Sequence, residues 1–109
     1  MGQIDISSIW PQLETGITNL AKQTVHGFVK EAQSDGQAFL EATKAKLEQW
    51  AGQLAAGKIT KDEFSDLLEG QKDLLQLKAL TQAGLARIAL DKFKQGVLDL
   101  VEKVIFALI

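Results

Sequence analysis

The chain has 109 residues, of which 46% are hydrophobic and 24% charged, with 12 basic and 14 acidic side chains. This length predicts a single domain over residues 1–109, and the aliphatic content argues against intrinsic disorder. Cysteine is absent, which excludes disulfides, thiolate metal sites and cysteine nucleophiles. Basic and acidic residues are mixed in both halves, so we expect no nucleic-acid binding.

The first ten residues show no basic segment followed by an apolar one, so we expect no signal peptide. The sequence also has no apolar run near the ~20 residues that a membrane-spanning helix needs. We therefore expect a cytoplasmic protein.

The first predicted helix covers about residues 8–56. Ser8 can serve as its N-cap, and Pro11 falls in the first turn, where its missing N–H costs nothing. Apolar or small residues then recur every three or four positions, which is the period of a helical stripe. This stripe begins with Leu13, Ile17, Leu20, Thr24, Phe28 and Ala32.

The segment at residues 34–36 leaves an alternative open. Ser34 and Gln37 have the spacing of a capping box, and Gly36 weakens a helix, so a break here would give a three-helix bundle. The apolar spacing nevertheless continues in phase through Phe39 and beyond. We therefore predict a continuous first helix and keep the three-helix bundle as the alternative.

Residues 57–60 are predicted to form a turn between two helices. Gly57 can adopt the left-handed conformation that ends a helix. Thr60 and Glu63 have the spacing of a capping box, and Ile59 and Phe64 that of a hydrophobic staple. Both signals predict that a second helix begins at about residue 61.

The second predicted helix covers about residues 61–109. Its main apolar row follows a strict seven-residue repeat, which favours coiled-coil-like packing. The row comprises Ala79, Ala83, Ala86, Leu90, Phe93, Val97, Leu100, Val104 and Ala107. The sequence therefore predicts an all-α fold, a long antiparallel helical hairpin. In it the apolar end at 97–109 meets residues 9–20, and the small residues at 79–86 meet residues 32–38.

A second apolar row lies beside the first near the C-terminus, and one partner helix cannot cover both rows. We therefore predict a homo-oligomer, most simply a dimer that forms a four-helix bundle, in which Trp10 is either an interface anchor or an ordinary packing residue. The predicted interface comprises Trp10, Leu90, Phe93, Val97, Leu98, Leu100, Val101, Val104, Ile105 and Leu108.

Side chains that could carry chemistry have simpler structural explanations. His26 has no carboxylate among its helical neighbours to orient it as a general base. Asp62, Glu63 and Asp66 lie where acidic residues stabilise the start of a helix, and they lack the ligand spacing of a calcium loop. We therefore predict no catalytic residue, no metal site and no cofactor.

The sequence thus predicts a non-enzymatic protein that oligomerises or serves as an adaptor or structural component, with itself or another helical protein as partner. The alternative is an amphipathic protein that binds a lipid or membrane surface through the apolar face at 97–109. The scarcity of basic residues near that face counts against the alternative.

Overall fold

The computed structural model describes residues 6–108, apart from the side chains of Ile6 and His26. The all-α prediction is confirmed, since residues 6–108 contain helices and no strand. The α-helices are α1 (Ile9–Thr24), α2 (Val29–Ala55), α3 (Lys61–Glu69), α4 (Lys78–Gln82) and α5 (Arg87–Leu108). Single 3₁₀ turns cover Ile6–Ser8, His26–Phe28 and Lys72–Leu74. Ile109, the last residue of the second predicted helix, lies outside the described residues.

The prediction of one continuous helix over residues 8–56 is wrong. The chain reverses at residues 25–28, where Val25 leaves the helical conformation (φ −126°, ψ 6°) and the exposed Gly27 weakens helix propensity. The reversal lays α1 antiparallel on α2, so the α1 stripe is buried inside the chain. The alternative break at 34–36 is also wrong, because α2 passes through these residues.

The turn at residues 57–60 is confirmed. Gly57 has a φ of +76°, the left-handed conformation that suits glycine. The Glu63 backbone N–H donates to the Thr60 hydroxyl at 3.0 Å, and the Thr60 N–H donates to the Glu63 carboxylate at 2.9 Å. Both bonds of the capping box are therefore present at the start of α3.

The second predicted helix, over residues 61–109, is divided into α3, α4 and α5, so the long hairpin is wrong. Leu77 (φ +50°) and Gly84 (φ +88°) take left-handed conformations on either side of α4. Helices of that length would each extend ~70 Å and bury one face only, whereas the longest dimension of the fold is 47 Å. The breaks let shorter helices cover one another on several faces.

Four helices pack around one core in this single chain. α1 contacts α2 and α5, and α3 also contacts α2 and α5, while the short α4 packs against α2. The four-helix packing that the sequence suggested for a dimer is thus made within one copy. Phe64 of α3 and Phe106 of α5 meet edge to face, with ring centroids 5.5 Å apart.

Glycines let α5 approach α1 closely. A Cβ on Gly16 would lie 2.6 Å from Leu100 Cδ1, and a Cβ on Gly96 would lie 2.7 Å from Leu20 Cδ1. Each helix therefore places a leucine over a glycine of the other. These contacts confirm the predicted meeting of the 97–109 end with residues 9–20, although the helices are shorter than predicted.

Candidate functional site

The predicted interface divides into two groups in the structure. Leu98, Val101 and Ile105, from the second apolar row, are at most 2% exposed and lie in the core of the chain itself, as do Phe93 and Val97. The premise that this row needs a second molecule to cover it is therefore wrong. The remaining predicted residues are half-buried and pack on the edge of the core: Trp10, Leu90, Leu100, Val104 and Leu108.

Trp10 joins α1 to the C-terminal part of α2. Its indole N–H donates to Glu48 Oε2 at 3.2 Å, and Lys44 Nζ lies 5.7 Å from the centroid of a Trp10 ring. A half-buried tryptophan with a satisfied N–H is well held in one orientation. Both roles left open for Trp10 therefore remain, since it packs internally and also shows part of its surface.

A shallow polar groove runs between α1 and α2 beside Trp10. One part, of about 340 Å³, includes Glu14, Thr18, Gln33 and Gln37 in its lining, and a neighbouring part of about 160 Å³ extends toward Trp10. The Gln33 amide donates to the Thr18 hydroxyl at 2.9 Å. The groove offers hydrogen-bonding groups and a carboxylate, and it is open to water, so it suits weak polar contacts better than chemistry that needs a dry pocket.

Three threonine hydroxyls in α1 and α2 are bonded to carbonyl groups of their own helices. Thr18 donates to the Glu14 carbonyl at 3.1 Å, Thr24 to the Leu20 carbonyl at 2.8 Å, and the buried Thr43 to the Phe39 carbonyl at 2.9 Å. An activated nucleophile instead needs its hydroxyl bonded to a general base. These threonines therefore serve the helices in this structure.

The residues considered for metal or acid–base roles lie in a turn and at the start of a helix. His26 lies in the turn between α1 and α2. Asp62 and Glu63 lie in the first turn of α3, where Glu63 completes the capping box. Among the described side chains, which do not include that of His26, the structure brings no three Asp or Glu residues together in a way that could hold a metal ion.

Asp35 is the polar residue whose role the sequence reasoning missed. It is only 8% exposed, and its carboxylate reaches from α2 to the start of α4. Oδ1 accepts the Ala79 N–H and Oδ2 accepts the Leu80 N–H, each at 2.9 Å. The carboxylate thus caps a helix 44 residues away in the chain, where Leu77 supplies no side-chain cap.

Three large apolar side chains are exposed in the part of the chain that the structure describes. Leu67 is 36% exposed, Leu74 is 43% exposed, and Ile88, in the first turn of α5, is 72% exposed. Ile88 follows a turn in which Ala83, Gly84 and Ala86 are also exposed. Among the side chains that the structure describes, this corner between α4 and α5 therefore carries the most exposed large apolar one, Ile88.

Comparisons with protein-family models, with curated proteins and with solved structures each find no match to this chain. None of the helices within residues 6–108 has the length and apolar character required to cross a bilayer.

Proposed function

We propose that this chain is a non-enzymatic helical interaction protein with an adaptor or structural role, and that it self-associates reversibly through the half-buried edge of α5. The observation that carries the proposal is the row Leu100, Val104 and Leu108, which lies beside the core but is not fully covered by it. Trp10, which packs against the same core, is also partly open. Such partly covered apolar and aromatic residues are typical of interface centres.

The self-association proposed here is weaker than that of the four-helix dimer expected from the sequence, in which the second copy was needed to cover an apolar row. The chain has an accessible surface of 6361 Å², close to the roughly 6,000 Å² that a compact monomer of this mass presents. One copy therefore covers its own core, and a second copy would add burial only at the edge. We expect a dimer that dissociates on dilution, with each copy remaining folded.

Sedimentation velocity over a micromolar to millimolar range tests this proposal. The wild type should shift from monomer to dimer as its concentration rises. Val104→Glu combined with Leu108→Glu should keep the chain monomeric, because two carboxylates would lose water in the contact without a partner. Lys103→Glu combined with Ala107→Glu is the matched control, since both of these residues are exposed on the same helix.

Circular dichroism must accompany the sedimentation data, because Val104 and Leu108 also pack on the core. Loss of dimer with retained helix content supports the proposal. The proposal of self-association through this edge would be contradicted by a wild type that stays monomeric at every concentration. It would also be contradicted if the dimer persisted in the variant with Val104→Glu and Leu108→Glu.

The alternative prediction, lipid binding through the 97–109 face, now requires a large rearrangement. Val97, Val101 and Ile105 are fully buried, so they could reach lipid only if the packing of α5 on α1 and α3 opened. Leu100, Val104 and Leu108, at the edge of this face, are accessible without such opening, but basic side chains that would bind anionic lipid are scarce beside them, so we favour self-association.

A further inference from the structure

The corner between α4 and α5 combines exposed apolar surface with concentrated positive charge. Gly84, with a φ of +88°, lies in the turn at residues 83–86 that joins α4 to α5. Ile88 is 72% exposed and directly follows Arg87, which is also exposed. Lys92 is one helical turn beyond Ile88, so these two side chains lie on the same face of α5.

The sequence segment that contains this corner has a net charge opposite in sign to that of the rest of the chain, although the exposed Asp91 partly offsets Arg87 and Lys92 next to Ile88. Residues 78–94 contain four basic residues and one acidic residue, which gives them a net charge of +3. Because the whole chain has a net charge of −2, the remaining residues carry −5. The basic residues of the segment are Lys78, Arg87, Lys92 and Lys94, and the acidic one is Asp91.

We propose that this corner docks on an anionic lipid surface, with Ile88 entering the headgroup region and Arg87 and Lys92 binding lipid phosphates and carboxylates. A bulky apolar side chain beside basic groups has the two properties by which peripheral proteins bind such membranes. A second copy of the chain fits less well, because a two-fold contact centred on Ile88 would oppose Arg87 to its own counterpart. The site differs from the edge of α5 proposed for self-association, but it shares the premise that the chain acts through its surface.

Because the corner is small, its binding to lipid should depend mainly on charge. One inserted isoleucine supplies little hydrophobic attraction, so binding should depend on the negative charge of the lipid. Added salt should weaken it, because the basic side chains are exposed and their attraction is screened. We therefore expect binding to vesicles of mixed phosphatidylserine and phosphatidylcholine, and none to phosphatidylcholine alone.

Flotation of the full chain with these two kinds of vesicle tests the proposal. Ile88→Ser, and separately Arg87→Gln combined with Lys92→Gln, should each lower binding to the anionic vesicles by roughly tenfold. Leu67→Ser is the control for loss of an exposed apolar side chain, and Lys46→Gln with Lys58→Gln is the control for loss of exposed positive charge elsewhere. Both controls should bind as the wild type does.

The proposal is overturned if the wild type fails to float with anionic vesicles at low salt, or if the corner variants and the controls lose binding equally. Wild-type dimerisation that depends on Ile88, with no vesicle binding, would assign the corner to a second copy and also overturn it. Failure of vesicle binding alone leaves the dimer test through Val104 and Leu108 intact, so the two proposals can fail separately.

Discussion

Replacing Asp35 by alanine should weaken the fold through the loss of a cap supplied from a different helix. The Asp35 carboxylate accepts both the Ala79 and Leu80 N–H groups, and it is almost inaccessible to water. Asp35→Ala removes both acceptors and leaves two N–H groups at the start of α4 without them. Hydrogen bonds to a charged group contribute about 1.5–3 kcal/mol each, so the loss lies at about 3–6 kcal/mol if α4 stays in place.

Local opening limits how much of this loss appears in global stability. α4 is only five residues long, and Leu77 before it holds a left-handed φ that costs roughly 1–2 kcal/mol for a residue with a Cβ. Once the cap is lost, α4 can leave α2 while the longer helices remain packed. Since the rest of the chain then stays folded without α4, the decrease in the free energy of global unfolding cannot exceed the free energy with which α4 packs on the rest of the chain.

Two measurements separate these effects. Urea unfolding followed by circular dichroism gives the global change, and hydrogen exchange by mass spectrometry gives the opening of residues 78–82. We expect Asp35→Ala to increase exchange in α4 far more than in α1 or α5. Asp35→Asn, which keeps one acceptor oxygen, should have an intermediate effect, and the exposed Asp91→Asn should stay within about 0.5 kcal/mol of the wild type.

Unchanged exchange in α4, together with wild-type stability in Asp35→Ala, would show that the carboxylate does not hold the helix. Equal acceleration of exchange in α1, α4 and α5 would show that α4 does not open separately. The first result would refute the role of Asp35 as a cap for α4, and the second would refute the local opening of α4.

Two further predictions concern the backbone. Gly36→Ala should destabilise the fold by about 1–3 kcal/mol through overpacking, because its Cβ would lie 2.9 Å from Ile17 Cδ1 and Cγ2. The control is Gly27→Ala, whose Cβ would meet nothing within 4 Å and which should be neutral or stabilising in thermal melts. If Gly27→Ala were the more destabilising of the two, the packing of α1 on α2 would be contradicted. Thr60→Ala should lower the free energy of unfolding in urea by about 1 kcal/mol, because the cap is lost. Thr60→Ser keeps the hydroxyl and should retain most of the wild-type stability. Equal losses in the two variants would rule out the hydroxyl as the cause.

The turn at 57–60 could be predicted because everything that defines it is local. Gly57, Thr60 and Glu63 lie within one short stretch of chain, and their geometry follows from capping chemistry alone. The break at 25–28 has no comparable signal. Thr24 and Phe28 keep the helical spacing across it, and the preference for a reversal arises from packing α1 against α2, which a local pattern does not contain.

The pairing of distant segments survived the errors in helix length. The apolar end of α5 still meets α1, with Leu100 against Gly16 and Leu20 against Gly96. The start of α4 lies beside residue 35, as the predicted contact of 79–86 with 32–38 requires, but Ala83, Gly84 and Ala86 are exposed instead of packed there. The matching of apolar ends therefore carried more information about the fold than helix continuity did.

The role of Asp35 had one signal in the sequence. It lies three residues after Ala32 and four before Phe39, so it falls on the buried stripe of α2. A carboxylate on such a stripe must find donors inside the protein. The sequence could indicate a buried acid in this way, but not that its donors would be backbone groups of α4.

The two apolar rows of α5 explain why the candidate interface was only partly predictable. A helix with two adjacent rows can turn either one toward the core, and the seven-residue repeat marked the row containing Leu100 and Val104 as the inner one. In the structure the adjacent row, with Val101 and Ile105, is buried, whereas Leu100 and Val104 of the repeat row lie at the edge of the core. Two residues that were expected in the core of a hairpin are therefore left partly accessible. Because one copy covers its own core, the proposed association should be reversible, and mutations at this edge or at the α4–α5 corner should change binding while leaving most of the folding free energy in place.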